Sequence, residues 1–244
     1  MRRWGVVRIV LLALLAGGCQ LAFGVAAVGP DGPPADASPV PGVLAHYAMD
    51  AFQSAPCLHD DSGNGHDGVC VGDPVSLGGG QFGKGYHLDG ATRIQIPTTG
   101  TLAGGPFTIA GWFKYTGDPT PGMCPFNRLY GTARGNSWQV CIDPTQTAFF
   151  FTASGEHSVS AALLAVDAWH HLAIASSGTS VQTYIDGGLI EDDPWTLDFD
   201  AAPIELGADL DPAGIADPVT GAIDDVWIFD HALTAGEVVA LESP

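Results

Sequence analysis

Three sets of residues in this chain could do chemistry. Glu191-Asp192-Asp193 opens a Glu-x-Asp-x-x-Glu spacing. On one strand that spacing sets a nucleophile and an acid about 5 Å apart for retaining glycoside hydrolysis. Thr196 stands where the second Glu is needed, and Pro194 would interrupt a central strand. The chain has only five glutamates, and no others offer a second candidate. His170 and His171, with Asp167 close by, invite comparison with a Ser–His–Asp relay. Adjacent strand residues point to opposite faces, so one His is buried and the other turned away. No Gly-x-Ser-x-Gly turn accompanies them, and the eight histidines do not cluster at zinc-ligand spacing. The sequence therefore predicts no catalytic residue and no enzyme.

The cysteines are the third set. Cys57, Cys70, Cys124 and Cys141 lack any Cys-x-x-Cys spacing, which argues against zinc. An even count in an exported chain implies two disulfides. Of the three connectivities, Cys57–Cys70 and Cys124–Cys141 each bracket one local loop and are favoured on that ground. The fifth cysteine, Cys19, belongs to the export segment. Arg2, Arg3 and Arg8 form a basic start, and Ile9 to Ala16 form an apolar run too short to span a bilayer. Ala16-Gly17-Gly18-Cys19 then resembles a bacterial lipobox, whose cysteine is lipidated and becomes the first mature residue; an ordinary signal peptide cleaved nearby is the alternative. Triacylation would anchor the chain stably to a membrane. Residues 1–18 thus read as a signal peptide and 19–42 as a lipidated Pro/Gly-rich tether, with one domain over 43–244.

The formal net charge is −19. Beyond the signal only Lys84, Arg93, Lys114, Arg128 and Arg134 oppose 27 acids, a balance that repels phosphate backbones and excludes nucleic acid. Most of the acids are Asp, which favours turns and disfavours helices.

The elements that must carry these residues are strands. Around Ser177-Gly178-Thr179, the residues Leu172, Ile174, Val181, Thr183 and Ile185 recur at every second position, the period of strands with one buried face. Asp186-Gly187 reads as a tight hairpin turn. Further strands are expected over 43–50, 93–97, 107–113, 137–142, 147–152 and 157–161. A long loop restrained by Cys124–Cys141 is expected between Tyr115 and Asp143. Thr234 and Glu237 form a capping box before Val238, Val239 and Leu241, predicting a short C-terminal helix.

Motifs along the chain resemble the laminin-G-like jellyroll family of concanavalin A-like folds. They are Trp169-His170-His171, Tyr184-Ile185-Asp186-Gly187, the Asp60–Gly65 loop, Phe107-Thr108-Ile109 with Trp112, and Gly221 to Val226. The resemblance, from Val43 to Leu241, implies an all-β jellyroll: two antiparallel sheets packed face to face, with a short C-terminal helix. Trp112 is expected in the sandwich interior. His170 and His171 become structural signatures. The resemblance also implies a structural calcium ion where first and last strands meet, held by Asp50, Asp61, Asn64 and Asp225. For a ligand, Trp195 and Trp227 are the rings expected to be exposed. The expected role is non-catalytic binding of carbohydrate or a protein surface at the cell envelope, lipid-anchored at the outer membrane or cell surface. The alternatives are a structural or assembly domain without a small ligand and, more remotely, a glycan hydrolase.

Overall fold

The computed structural model describes residues 40–243, except 53–56, 73–75, 101–103, 120, 131–134, 146, 153–154 and 212–213. The expected signal peptide, Cys19 and nearly all of the tether lie outside the described residues. Strands numbered in chain order form three antiparallel sheets among them. The eight-stranded sheet is ordered β13 (Gly188–Asp193), β12 (Val181–Ile185), β11 (His170–Ser176), β6 (Phe107–Tyr115), β17 (Thr220–Phe229), β4 (Lys84–Asp89), β3 (Ser76–Gly79). β1 (Val43–Tyr47) also pairs with β17. The seven-stranded sheet is ordered β10 (Gly155–Leu163), β9 (Thr147–Thr152), β8 (Gly135–Ile142), β7 (Met123–Tyr130), β14 (Ile204–Leu206), β5 (Arg93–Ile96), β2 (Val69–Val71). β15 (Asp209–Asp211) and β16 (Gly214–Ala216) form a separate small hairpin.

Alternation places the core between the two large sheets. Leu172, Ile174, Val181 and Ile185 meet Ile94, Ile204, Leu206 and Phe126 in one apolar cluster, with Trp138 and Phe113 among its largest members. The Asp186-Gly187 turn has positive φ at both residues (46° and 70°) between the paired Ile185 and Gly188, the backbone of a type I′ hairpin. The outer face of the eight-stranded sheet carries a second apolar cluster. There Ala110, Ala173 and Ala175 keep the sheet surface low, so Val238 of α1 (Ala235–Ala240) and its C-cap Leu241 join Tyr184, Trp227 and Phe229. The capping box of Thr234 and Glu237 forms as expected. Val239, expected in the apolar stripe, is 48% exposed instead, one helical position away from the buried Val238. No helix among the described residues is long and apolar enough to cross a membrane.

Both disulfides have the expected partners, Cys57–Cys70 and Cys124–Cys141. Two expectations need correction. The stretch from Tyr115 to Asp143 is not one long loop, because β7 runs through it. Pro125 is accommodated at an irregularity in the β7–β8 register between Met123 and Phe126, where a ladder N–H is not needed. Trp112 is buried but not between the sheets. On β6 it alternates with Gly111 and Phe113, and Phe113 faces the core, so the indole lies on the outer face against Phe82 and His171. Gly111 is on the inner side, where a Cβ would meet the Val226 side chain at 2.8 Å and leave no room for a larger residue.

Candidate functional site

The motif residues first resolve into structural clasps. His170 Nε2 accepts the N–H of Ala165 at 2.9 Å, so its proton sits on Nδ1, which donates to Asp186 Oδ2 at 2.9 Å. Asp186 Oδ1 accepts the His171 N–H at 2.9 Å. Burial alone would raise the Asp186 carboxyl, but the hydrogen bonds from His170 and His171 hold it below the usual carboxylate range. The Trp-His-His and Asp-Gly motifs therefore lock β11 to the β12–β13 turn. The Lys114 ammonium lies over the Trp169 ring at 5.0 Å. Asp60 closes the N-terminal loop in the same way. Its carboxylate accepts the N–H groups of His46, Ser62 and His66 and the Ser62 hydroxyl, which outweigh burial and lower its pKa.

The expected calcium ligands do not come together as one set. Asp50 and Asp61 line one hollow with His59 and Tyr86. Asp50 Oδ1 accepts the Lys84 N–H at 2.7 Å and Asp61 Oδ2 the Ala48 N–H at 3.0 Å. Asn64 turns its amide nitrogen to the carbonyls of Val43 and Leu44. Asp225 is held between His46 Nε2 (2.7 Å) and the Trp227 indole N–H (3.1 Å). No group of three His, Cys, Asp or Glu side chains gathers at one point among the described residues. The reason lies in β17, whose register with β6 shifts between Asp224 and Trp227 and whose Asp225 has φ 46°. This bulge swings Asp225 towards Trp227.

The two expected stacking rings are also covered. Trp227 is 5% exposed, stacked on His46 with ring centres 3.4 Å apart, and part of the cluster beneath α1. Trp195 is only partly exposed and packs against the core between the sheets. Glu191 and Asp193 do share one face of β13. Burial and the hydrogen bond to Asp193 raise the Glu191 carboxyl. β13 is the last strand of its sheet and ends before Pro194, so no third carboxylate follows on the strand.

The polar arrangement that sequence reasoning missed crosses the outer face of the seven-stranded sheet. Val69 of β2, Gln95 of β5, Glu205 of β14, Asn127 of β7 and Gln139 of β8 are successive register partners. Each of the last four lies between core-facing neighbours, so all project outwards. Glu205 is 0% exposed. Its Oε1 accepts Gln95 Nε2 at 2.6 Å, and its Oε2 lies 3.2 Å from Arg93 Nε. Burial pushes its carboxyl up to about 7, although Gln95 and Arg93 pull the other way. Asn127, also fully buried, donates to the carbonyl of Ala208 at the root of the β15–β16 hairpin. The lane is thus sealed at Asn127 and partly open at Arg93 and Gln95, beside Val69, which is 53% exposed. Its sequence signal is a polar residue flanked by two apolar ones in β5, β14 and β8, while in β7 Asn127 lies between Phe126 and Arg128.

On the other sheet, Asp224 is 0% exposed and stands opposite Trp112. Its Oδ2 accepts the Phe82 N–H at 2.9 Å. Burial, with Asp225 adding to it, raises its carboxyl to about 7 despite that bond.

Residues 88–239, well over half of the chain, match the family described as the Concanavalin A-like lectin/glucanases superfamily. No curated protein matches the chain. Among solved structures, domain 4 of an extracellular arabinanase from Geobacillus stearothermophilus, in complex with arabinotriose, superposes with a TM-score of 0.64 at 22% identity, covering 83% of this chain and 98% of that domain. The binding domain of Paraclostridial Mosquitocidal Protein 1 gives 0.64 at 16% identity, over 82% of this chain and 52% of that one. Trypanosoma rangeli sialidase in complex with sialic acid gives 0.66 at 13% identity. The match covers 85% of this chain but only 33% of the sialidase, so the chain spans about a third of that enzyme. The two-sheet sandwich and the family match agree: the chain belongs to the Concanavalin A-like lectin/glucanases superfamily.

Proposed function

We propose that this protein is a non-catalytic carbohydrate-binding module, held at the cell envelope through lipidated Cys19 and the tether up to residue 42. One observation carries the sugar reading, the register-matched lane of Gln95, Glu205, Asn127 and Gln139 with Arg93 beside it. The guanidinium of Arg93 and the amide of Gln95, held side by side by the buried Glu205 carboxyl, are planar groups of the kind that recognise vicinal hydroxyls. The contact surface is the open end, Arg93 and Gln95, with Val69 as the adjoining apolar contact. The excess of acids over bases disfavours anionic glycans, so the ligand class is neutral. The arabinanase domain in complex with arabinotriose supports the class and supplies the first ligand to try. Binding rather than hydrolysis fits an acid pair confined to the edge strand β13.

A glycan array followed by titration with arabinotriose and the array's best ligands tests the proposal. We expect binding that weakens about tenfold or more in Arg93→Ala and in Gln95→Ala, as for loss of a hydrogen bond to a charged or polar anchor. An empty array leaves the structural or assembly role as the reading. Binding indifferent to both substitutions moves the site elsewhere.

A further inference from the structure

His171, Trp112 and Asp224 stand directly opposite one another across β11, β6 and β17, on the outer face of the eight-stranded sheet. They are 1%, 8% and 0% exposed. Trp112 Nε1 and Asp224 Oδ1 are nevertheless without a hydrogen-bond partner among the described residues. The nearest carboxylate to His171 Nδ1 is Glu242, at 3.4 Å. The Trp112 indole N–H has given up water with no bond in return, whereas the Asp224 carboxyl keeps backbone N–H bonds from Phe82, Gln81 and Asp225 and has only Oδ1 to spare. Trp112 belongs to neither apolar cluster, so core packing does not account for its burial.

Phe82 lies against the middle of this row. The Phe82 ring meets Trp112 edge-on at 5.9 Å, and the same residue's N–H bonds Asp224. Phe82 rides on a turn closed by the Gly80 N–H and the Gly83 carbonyl at 3.2 Å. Gly80 has no room for a side chain, because a Cβ there would lie 2.5 Å from Asp224 Oδ2. Phe82, on this glycine turn, packs on Trp112, and Glu242, just past the end of α1, stands beside His171.

We propose that Trp112 and Asp224 form a second, covered ligand site, a subsite for one neutral sugar ring, and that Phe82 is its cover. With the Phe82 ring swung aside, the indole offers a flat apolar face to the C–H side of a sugar. Trp112 Nε1–H donates to one ring hydroxyl, and Asp224 Oδ1 pairs with a neighbouring hydroxyl. Both unsatisfied atoms then acquire partners. Asp224, Asp225 and Glu242 around the row exclude anionic sugars. The site lies on the opposite sheet from the Arg93–Gln95 lane and shares only a ligand class with it.

The test follows the Trp112 indole N–H by NMR, assigned through Trp112→Phe. Without any ligand, its exchange with solvent is expected to be about tenfold faster than that of Trp138, whose Nε1 is likewise buried and unpartnered but lies in the core. Equal rates overturn the cover. Methyl glycosides of glucose, galactose, mannose and arabinose are then titrated into Phe82→Ala, or into Phe82→Leu where the alanine variant does not fold. The Trp112 signal should move in the uncovered variant, about tenfold more weakly in wild type, and not when Asp224→Ala is added. A Trp112 signal that no glycoside moves in the uncovered variant overturns the site. Arg93→Ala should leave this signal untouched, so failure of the lane and failure of this subsite are separately visible.

Discussion

Asp224→Asn at two pH values probes the electrostatics of the sheet most directly. In the unfolded chain this carboxyl ionises near 3.8, and in the fold burial raises it to about 7. Between those values the folded state holds a proton that the unfolded chain has released. Stability from this group is therefore complete below pH 3.8 and declines as pH rises to about 7. At about 1.4 kcal/mol per pKa unit, roughly 3 kcal/mol of the decline falls between about pH 5 and pH 8. Asparagine keeps an oxygen for the Phe82 N–H and cannot ionise. Urea unfolding followed by tryptophan fluorescence at the two pH values should show the wild-type difference shrinking by about 2–3 kcal/mol in Asp224→Asn. The rest of the wild-type slope belongs partly to Glu205, also raised to about 7. At pH 8 the variant should be the more stable protein, less about 1–3 kcal/mol if the new amide N–H group stays unpaired. An unchanged pH difference in the variant refutes the reasoning.

His170→Ala leaves the Ala165 N–H and Asp186 Oδ2 without their partner and should lower stability by about 2 kcal/mol, or about 4–8 °C in melting midpoint; a midpoint equal to wild type would mean the clasp is decorative. Any rise in midpoint on adding calcium, reversed by EDTA, should vanish in Asp61→Asn and persist in Asp225→Asn. A rise lost in Asp225→Asn restores the four-residue set including Asp50 and Asn64. Cys19→Ser should move the protein from the membrane fraction to the soluble fraction, and a wild type already soluble without detergent removes the lipid anchor from the proposal.

The sequence by itself determined what is local. Asp186-Gly187 specifies its turn because only a few residues tolerate two consecutive positive φ values. Thr234 and Glu237 specify the helix start because both partners lie within one turn. The two disulfides join cysteines 13 and 17 residues apart, and locality was enough to pair them. Alternation in Phe107 to Trp112 separated two faces correctly, but it carries no label for which face is inner. Trp112 consequently sits outside. A one-residue bulge at Asp225, invisible in the pattern of acids, set that side chain between His46 and Trp227. The Gln95–Glu205 bond joins residues 110 apart in the chain. The lane exists only once β5, β14, β7 and β8 are in register, because each strand contributes one polar side chain and its neighbours come from distant sequence. Tertiary structure decided these sites because strand pairing, rather than spacing along the chain, sets which side chains become neighbours.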